Sequence, residues 1–235
     1  MRVDRKQDEL RSIKITRNYL EYPDGSVLVE FGKTKVLCNV SCTTKIPKFL
    51  QGKSQGWLTA EYAMLPSSTA TRNERASIKP NKRSIEIQRL IGRSLRAMID
   101  LNKIPGINIT IDCDVIQADG GTRVSSITGA AIALVDAINS LMGKNLIKEN
   151  PIKSLICAIS VGILNKEAYL DLEYSEDSVA DTDMNLVFCE DLSFVEIQGC
   201  AEGESFSYEE LQKMIELGKK GAKEIFEIQK RALEA

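Results

Sequence analysis

Histidine is missing altogether from the 235 residues of this chain. Its absence removes Ser-His-Asp and Cys-His catalysis, the H-E-x-x-H zinc site and any imidazole general base. Any chemistry must therefore use carboxylates, arginines, lysines or a bound ion. The six cysteines include no C-x-x-C pair, so neither a zinc ribbon nor a disulfide framework is expected. Cys38, Cys42, Cys113, Cys157 and Cys189 fall in strand-like runs and read as small buried hydrophobes. There is no Pro/Gly/Ser-rich linker, and the chain is taken as a single domain over 1–235 with material for a substantial core. No apolar run approaches the roughly 18 residues of a membrane span. The opening Met1-Arg2-Val3-Asp4-Arg5-Lys6 lacks the apolar core of a signal peptide, and the expected location is the cytoplasm, with no membrane partner.

A net charge of -2 conceals two opposed segments. Residues 72–96 carry eight basic side chains against two acidic ones, an excess of six, which suits phosphates. Residues 167–191 carry nine acids and neither lysine nor arginine, which suits cations.

Strands are expected at 13–18, 26–31 and 35–43, with a turn at Tyr22-Pro23-Asp24-Gly25, so the chain opens on a β-meander. A further strand is expected at 57–64. Residues 66–81 read as a basic loop. A helix begins near Ser84, with Ile87, Leu90, Ile91, Ser94, Leu95 and Met98 on its apolar face and Arg89, Arg93 and Arg96 on another. Those arginines fit a solvated stripe, an intersubunit ion-pair surface or an RNA contact. Later strands are expected at 155–164, 168–174, 184–189 and 194–198. The last helix is announced by the capping-box pattern Ser207-Tyr208-Glu209-Glu210. Runs of strands interrupted by single helices describe an α+β fold with two roughly similar halves.

Three constellations bear chemistry. Residues 107–115 alternate apolar and polar up to a strand end near Gln117, Asp119-Gly120-Gly121-Thr122-Arg123 breaks the pattern, and helical spacing resumes from Val124. Glycines before a helix start let backbone N-H groups approach an anion, and Arg123 adds a fork of donors. Arg83, where the basic loop meets the next helix, is placed to reach the same anion. Between Leu172 and Met184 lies a loop with five carboxylates, Glu173, Glu176, Asp177, Asp181 and Asp183, a crowding that a hard cation such as Mg²⁺ or Mn²⁺ relieves. Arginines around phosphate oxygens with a divalent ion or acid at the leaving oxygen suit phosphoryl and nucleotidyl transfer, which does not require histidine.

The segments GSVLVEFGKTKVLC (25–38), GWLTAEYAMLPSST (56–69), EIQRLIGRSLRA (86–97), DCDVIQADGGTRVSSITGA (112–130), DLEYSEDSVADTDMN (171–185) and VEIQGCAEGESFS (195–207) resemble, in order and nearly end to end, the bacterial ribonuclease PH family. That resemblance implies a pair of βαβ-type halves with mixed sheets packed against helices. It also implies phosphorolytic 3'-to-5' trimming of tRNA precursors, with inorganic phosphate as co-substrate, nucleoside diphosphates as products and nucleotide addition as the reverse reaction. By the same resemblance, Arg83, Gly121, Thr122 and Arg123 bind phosphate. Asp177 and Asp183 serve catalysis and Mg²⁺, Arg72 and Arg75 contact RNA, and the chain assembles as a homohexamer, a trimer of dimers. Ser67 stands where family members commonly carry an arginine that grips tRNA, and the stretch between Arg75 and Arg83 is about two residues shorter than usual. The alternative is a non-catalytic RNA-binding ring subunit of an exosome-like assembly.

Overall fold

In the computed structural model, residues 2, 5–50, 52, 54–74 and 82–235 are described. The first sheet takes its strands from β1 (Ile13–Arg17), β2 (Gly25–Phe31), β3 (Thr34–Thr43), β4 (Trp57–Met64) and β5 (Asn108–Gln117), in the order β1-β2-β3-β5-β4. β4 runs parallel to β5 and the other pairs are antiparallel. The parallel pair requires a crossover, supplied by α1 (Lys82–Met98). The second sheet, in the order β7-β6-β8-β9, is antiparallel among the described residues and is built from β6 (Ile156–Leu164), β7 (Glu167–Leu170), β8 (Thr182–Cys189) and β9 (Phe194–Ala201). Two long helices, α2 (Thr122–Gly143) and α4 (Tyr208–Glu234), pack against these sheets. The architecture is α+β, two sheets on helices.

α2 lies between the sheets, touching β2 and β3 on one side and β6 on the other. A helix covered on every side has no use for a polar face, and sixteen of its residues are buried. It is long and apolar enough to cross a membrane, so the expectation that no segment approaches that length fails here; its burial identifies it as a core helix. Small residues bring it close to the sheet. A Cβ on Gly25 would lie 2.0 Å from the carbonyl oxygen of Ala133, and one on Gly129 would lie 2.5 Å from a methyl of Val29.

The apolar face expected of α1 is the buried one, from Ile87 to Met98. Of the three arginines Arg89, Arg93 and Arg96, two are spent within the chain: Arg93 forks onto Glu196 of β9, while Arg96 donates to the Leu58 carbonyl at 3.1 Å and stacks over Trp57. Arg89 is exposed. The hairpin between β6 and β7 turns on Asn165 and Lys166, both at positive φ, which matches the twist of the two strands without a glycine. The strand expected over 168–174 stops at Leu170. Asp171 turns to φ +54, and the chain then forms a single helical turn, α3 (Tyr174–Asp177), closed by a reciprocal cap between Glu173 and Glu176.

Candidate active site

The turn before α2 fixes the site. Gly120 and Gly121 both adopt positive φ, +73 and +66, and Gly121 caps the helix. A Cβ on Gly120 would meet the Leu172 carbonyl oxygen at 2.6 Å and the Glu173 carbonyl carbon at 2.7 Å. The bare backbone there lets the acidic segment press against the helix start. Thr34 locks the turn from the first sheet, donating to the Gly120 carbonyl at 2.7 Å and accepting from the Asp119 N-H at 2.9 Å. Arg11, two residues before β1, ties it to the segment that follows β7. Its guanidinium grips both carboxylate oxygens of fully buried Asp171, at 2.7 and 3.0 Å, and donates to the Asp119 carbonyl at 2.6 Å.

On this frame, Arg83 from the first turn of α1, Arg123 from the start of α2, Asp177 from the end of α3 and Asp183 from β8 line one cleft of about 560 Å³. Residues distant in sequence thus converge on one space. Burial raises the proton affinity of Asp177, and the nearby charge of Asp183 raises it further, against the opposing pull of Arg123, Arg83 and Arg11. Two hard-oxygen carboxylates that raise each other's energy are a donor set suited to Mg²⁺ or Mn²⁺, ions that use one or two protein carboxylates and keep waters. Among the described residues no three acidic, cysteine or histidine side chains are arranged to enclose an ion.

The five-carboxylate loop does not act as one cluster. Glu176 turns away and pairs with Arg2 and Arg5. Glu173 caps α3, while Asp181 accepts the Asn165 N-H at 3.0 Å. Only Asp177 and Asp183 of the five line the cleft. The difference arises because a helical turn splays successive side chains around its axis, a turn that four residues of sequence do not announce.

Gly121 and Thr122 stand at the helix start without lining the cleft themselves; the Thr122 hydroxyl is buried in a 2.9 Å bond with that of Tyr62. Arg72 is exposed in the loop after β4 and is not among the cleft residues. Arg75 falls outside the described residues. Sequence reasoning missed Glu86, Gln198 and Cys200, which share the cleft. Gln198 accepts from Arg123 at 3.3 Å and donates to Glu86 at 2.7 Å, and Glu86 lies 3.6 Å from Arg123. Glu86 is one helical turn beyond Arg83, which was a usable signal; for Gln198 and Cys200 on β9 residue spacing offered none, and only the resemblance over 195–207 pointed there.

The model described as 3' exoribonuclease family, domain 1, matches residues 9–138, and that described as domain 2 of the same family matches residues 154–221. Solved structures with this fold include rice (Oryza sativa) Rrp46, at TM-score 0.78 and 22% identity over 98% of each chain. A chain of the Archaeoglobus fulgidus exosome with RNA bound to the active site is similar at TM-score 0.79 and 22% identity, covering 95% of this chain and 90% of that one. An archaeal exosome core chain is similar at TM-score 0.76 and 21% identity, covering 96% and 89%. At such identities the likeness concerns the fold.

Proposed function

Because the chain belongs to the 3' exoribonuclease family, with the ribonuclease PH fold, we propose that it is a phosphorolytic 3'-to-5' exoribonuclease of the bacterial ribonuclease PH kind, acting on tRNA precursors. The observation that carries the reading is the convergence of Arg83, Arg123, Asp177 and Asp183 on one cleft. A scaffold has no physical need for two guanidinium groups and two aspartates brought from four separate elements into one space of that size.

Arg83 and Arg123 hold inorganic phosphate, and the first N-H groups of α2, at Gly121 and Thr122, add their dipole behind it. A phosphate oxygen attacks the phosphorus of the last phosphodiester. The bond from that phosphorus to the 3' oxygen breaks, a nucleoside diphosphate leaves, and the shortened RNA must recover a proton on its 3' oxygen. Asp177, with its raised proton affinity, is suited to supply that proton, and Asp183 stands beside it. Asp177 and Asp183 are also the residues that would hold Mg²⁺ or Mn²⁺, which supplies positive charge for the developing oxyanion. One phosphodiester is exchanged for one phosphoanhydride, so phosphate concentration sets the direction. The exposed Arg72, with Arg75, serves RNA binding. We further place the protein as a homohexamer in the cytoplasm, a reducing compartment that suits its six unpaired cysteines.

A second reading, a non-catalytic RNA-binding ring subunit, has two supports. Two of the similar structures come from exosomes. Glu86 and Gln198 also already engage the Arg123 guanidinium that phosphate would use. Incubating the purified protein with a short RNA, with and without inorganic phosphate, separates the readings. Phosphate-dependent nucleoside diphosphates support phosphorolysis. Monophosphates without phosphate indicate a hydrolytic nuclease, and RNA binding without turnover indicates the scaffold.

A further inference from the structure

Behind the cleft, three guanidinium groups gather around two buried carboxylates that the reaction does not use. Arg2 forks onto Glu176, with Nη2 to Oε2 at 3.0 Å, and also donates to the carbonyls of Lys6 at 3.0 Å and Asp171 at 3.1 Å. Arg5 donates to the Asp171 carbonyl at 2.6 Å and the Glu9 carbonyl at 2.8 Å, and reaches Glu176 at 3.4 Å. Arg11 closes the set on Asp171. The Arg2 and Glu176 side chains retain only 5% and 9% of their exposure, and Arg2 also lies over the Tyr169 ring.

Glu176 is the residue immediately before Asp177, in a helix of one turn. A single turn has no stability of its own, since nucleation is unfavourable and one turn gains few hydrogen bonds, so its position is set by what grips it. On one side its backbone is held by the Glu173 cap; on the other, its buried carboxylate is held by Arg2. The cleft arginines lie on α1 and α2, outside this grip. We propose that Arg2, assisted by Arg5, is a positioning residue that holds Glu176 so that Asp177 presents its carboxyl to the reacting 3' oxygen. This assignment rests on the phosphorolytic reading for its kinetic consequence, and on the ion pair alone for its structural one.

The kinetic test is steady-state phosphorolysis by Arg2→Ala, Arg2→Lys and Glu176→Gln. Displacing a reacting group by about 1 Å costs up to roughly a hundredfold in rate, so Arg2→Ala is expected to lower kcat at least about tenfold, with the KM for inorganic phosphate unchanged within about twofold. Arg2→Lys should recover part of the loss by keeping the charge. Arg2→Ala combined with Glu176→Gln should be no worse than the more damaging single change, because both remove one interaction. An unchanged kcat in Arg2→Ala, or a phosphate KM that rises with the fall in kcat, overturns the proposal. Amide hydrogen exchange reads the same grip without any turnover. Arg2→Ala should speed exchange over residues 173–178 and leave residues 83–98 as in the parent, and unaltered exchange at 173–178 overturns the proposal. A parent protein that makes no diphosphate would refute phosphorolysis and leave this second measurement decisive for the clamp.

Discussion

Asp183 is the second residue of β8, opposite Gly162 on one neighbouring strand and Cys200 on the other, so both flanking strands fix its direction. Asp183→Asn keeps its volume and removes its charge. Turnover of a short RNA with saturating phosphate is expected to fall roughly a hundredfold or more, as losing an acid, base or ion ligand does, and unimpaired turnover would refute its role. Gly120 is a residue of a different kind, required for what it lacks. A methyl there meets backbone atoms closer than 3 Å and sits at φ +73, so Gly120→Ala should lower stability by about 1–3 kcal/mol, read from the denaturant midpoint. A midpoint equal to that of the parent would show that the turn can move. At this scale the sequence was partly readable. Gly-Gly before Thr-Arg announced a helix start, and the acidic run announced a crowd of five carboxylates, because both are local patterns; the pair Asp177 and Asp183 was singled out only by the family resemblance. The partner of Glu176 was hidden, since Arg2 lies 174 positions away and nothing local links them.

Among the elements, α4 is the one whose start could be read letter by letter. Ser207 accepts the Glu210 N-H at 3.2 Å, while Glu210 accepts the Ser207 N-H at 2.7 Å. Ser207→Ala should therefore cost about 1 kcal/mol, which for a chain of this size is a fall of roughly 2–4 °C in Tm. An unchanged Tm in a calorimetric scan would mean that the packing of α4 on β6 and β7 sets its stability by itself. α3 is the contrasting case, where 171–174 continued the strand reading and the polypeptide instead turned at Asp171 and wound once. Long elements with many repeats of one period declare themselves, whereas a single turn carries too few residues for any period. The apolar run of α2 shows the reverse ambiguity, because a helix buried by protein and one buried by lipid have the same composition.

For the molecule as a whole, acid response follows from an outward patch on the first sheet. Asp112 on β5 stands in register with Glu61 on β4, and Asp114 follows two positions on. Burial raises the proton affinity of Asp112, and Glu61 and Asp114 add to that; burial and then Glu61 do the same for Asp114. A carboxyl that binds its proton more tightly when folded destabilises the fold while it is ionised. That penalty is fully present at neutral pH and is relieved as pH falls through the raised folded value towards the ordinary carboxylate range. Asp112→Asn is accordingly expected to raise Tm at neutral pH, with the advantage shrinking in mild acid. A lower neutral Tm, or an advantage that persists in acid, would contradict it. Assembly is the other property of this scale. A homohexamer should appear in light scattering as about six chains, and a monomer with full activity on tRNA precursors would end that proposal.

Local chemistry in the chain determined the strands of both sheets, the long helices and their caps, and the exclusion of imidazole catalysis, because propensity, periodicity and capping act over a few residues. Only the tertiary structure decided which of five neighbouring carboxylates face the arginines and which are taken by the N-terminal ones. It also set the close approach of Gly120 to residues 172–174. Those outcomes depend on packing between segments more than fifty residues apart, where direction and distance, rather than residue type, select the partner.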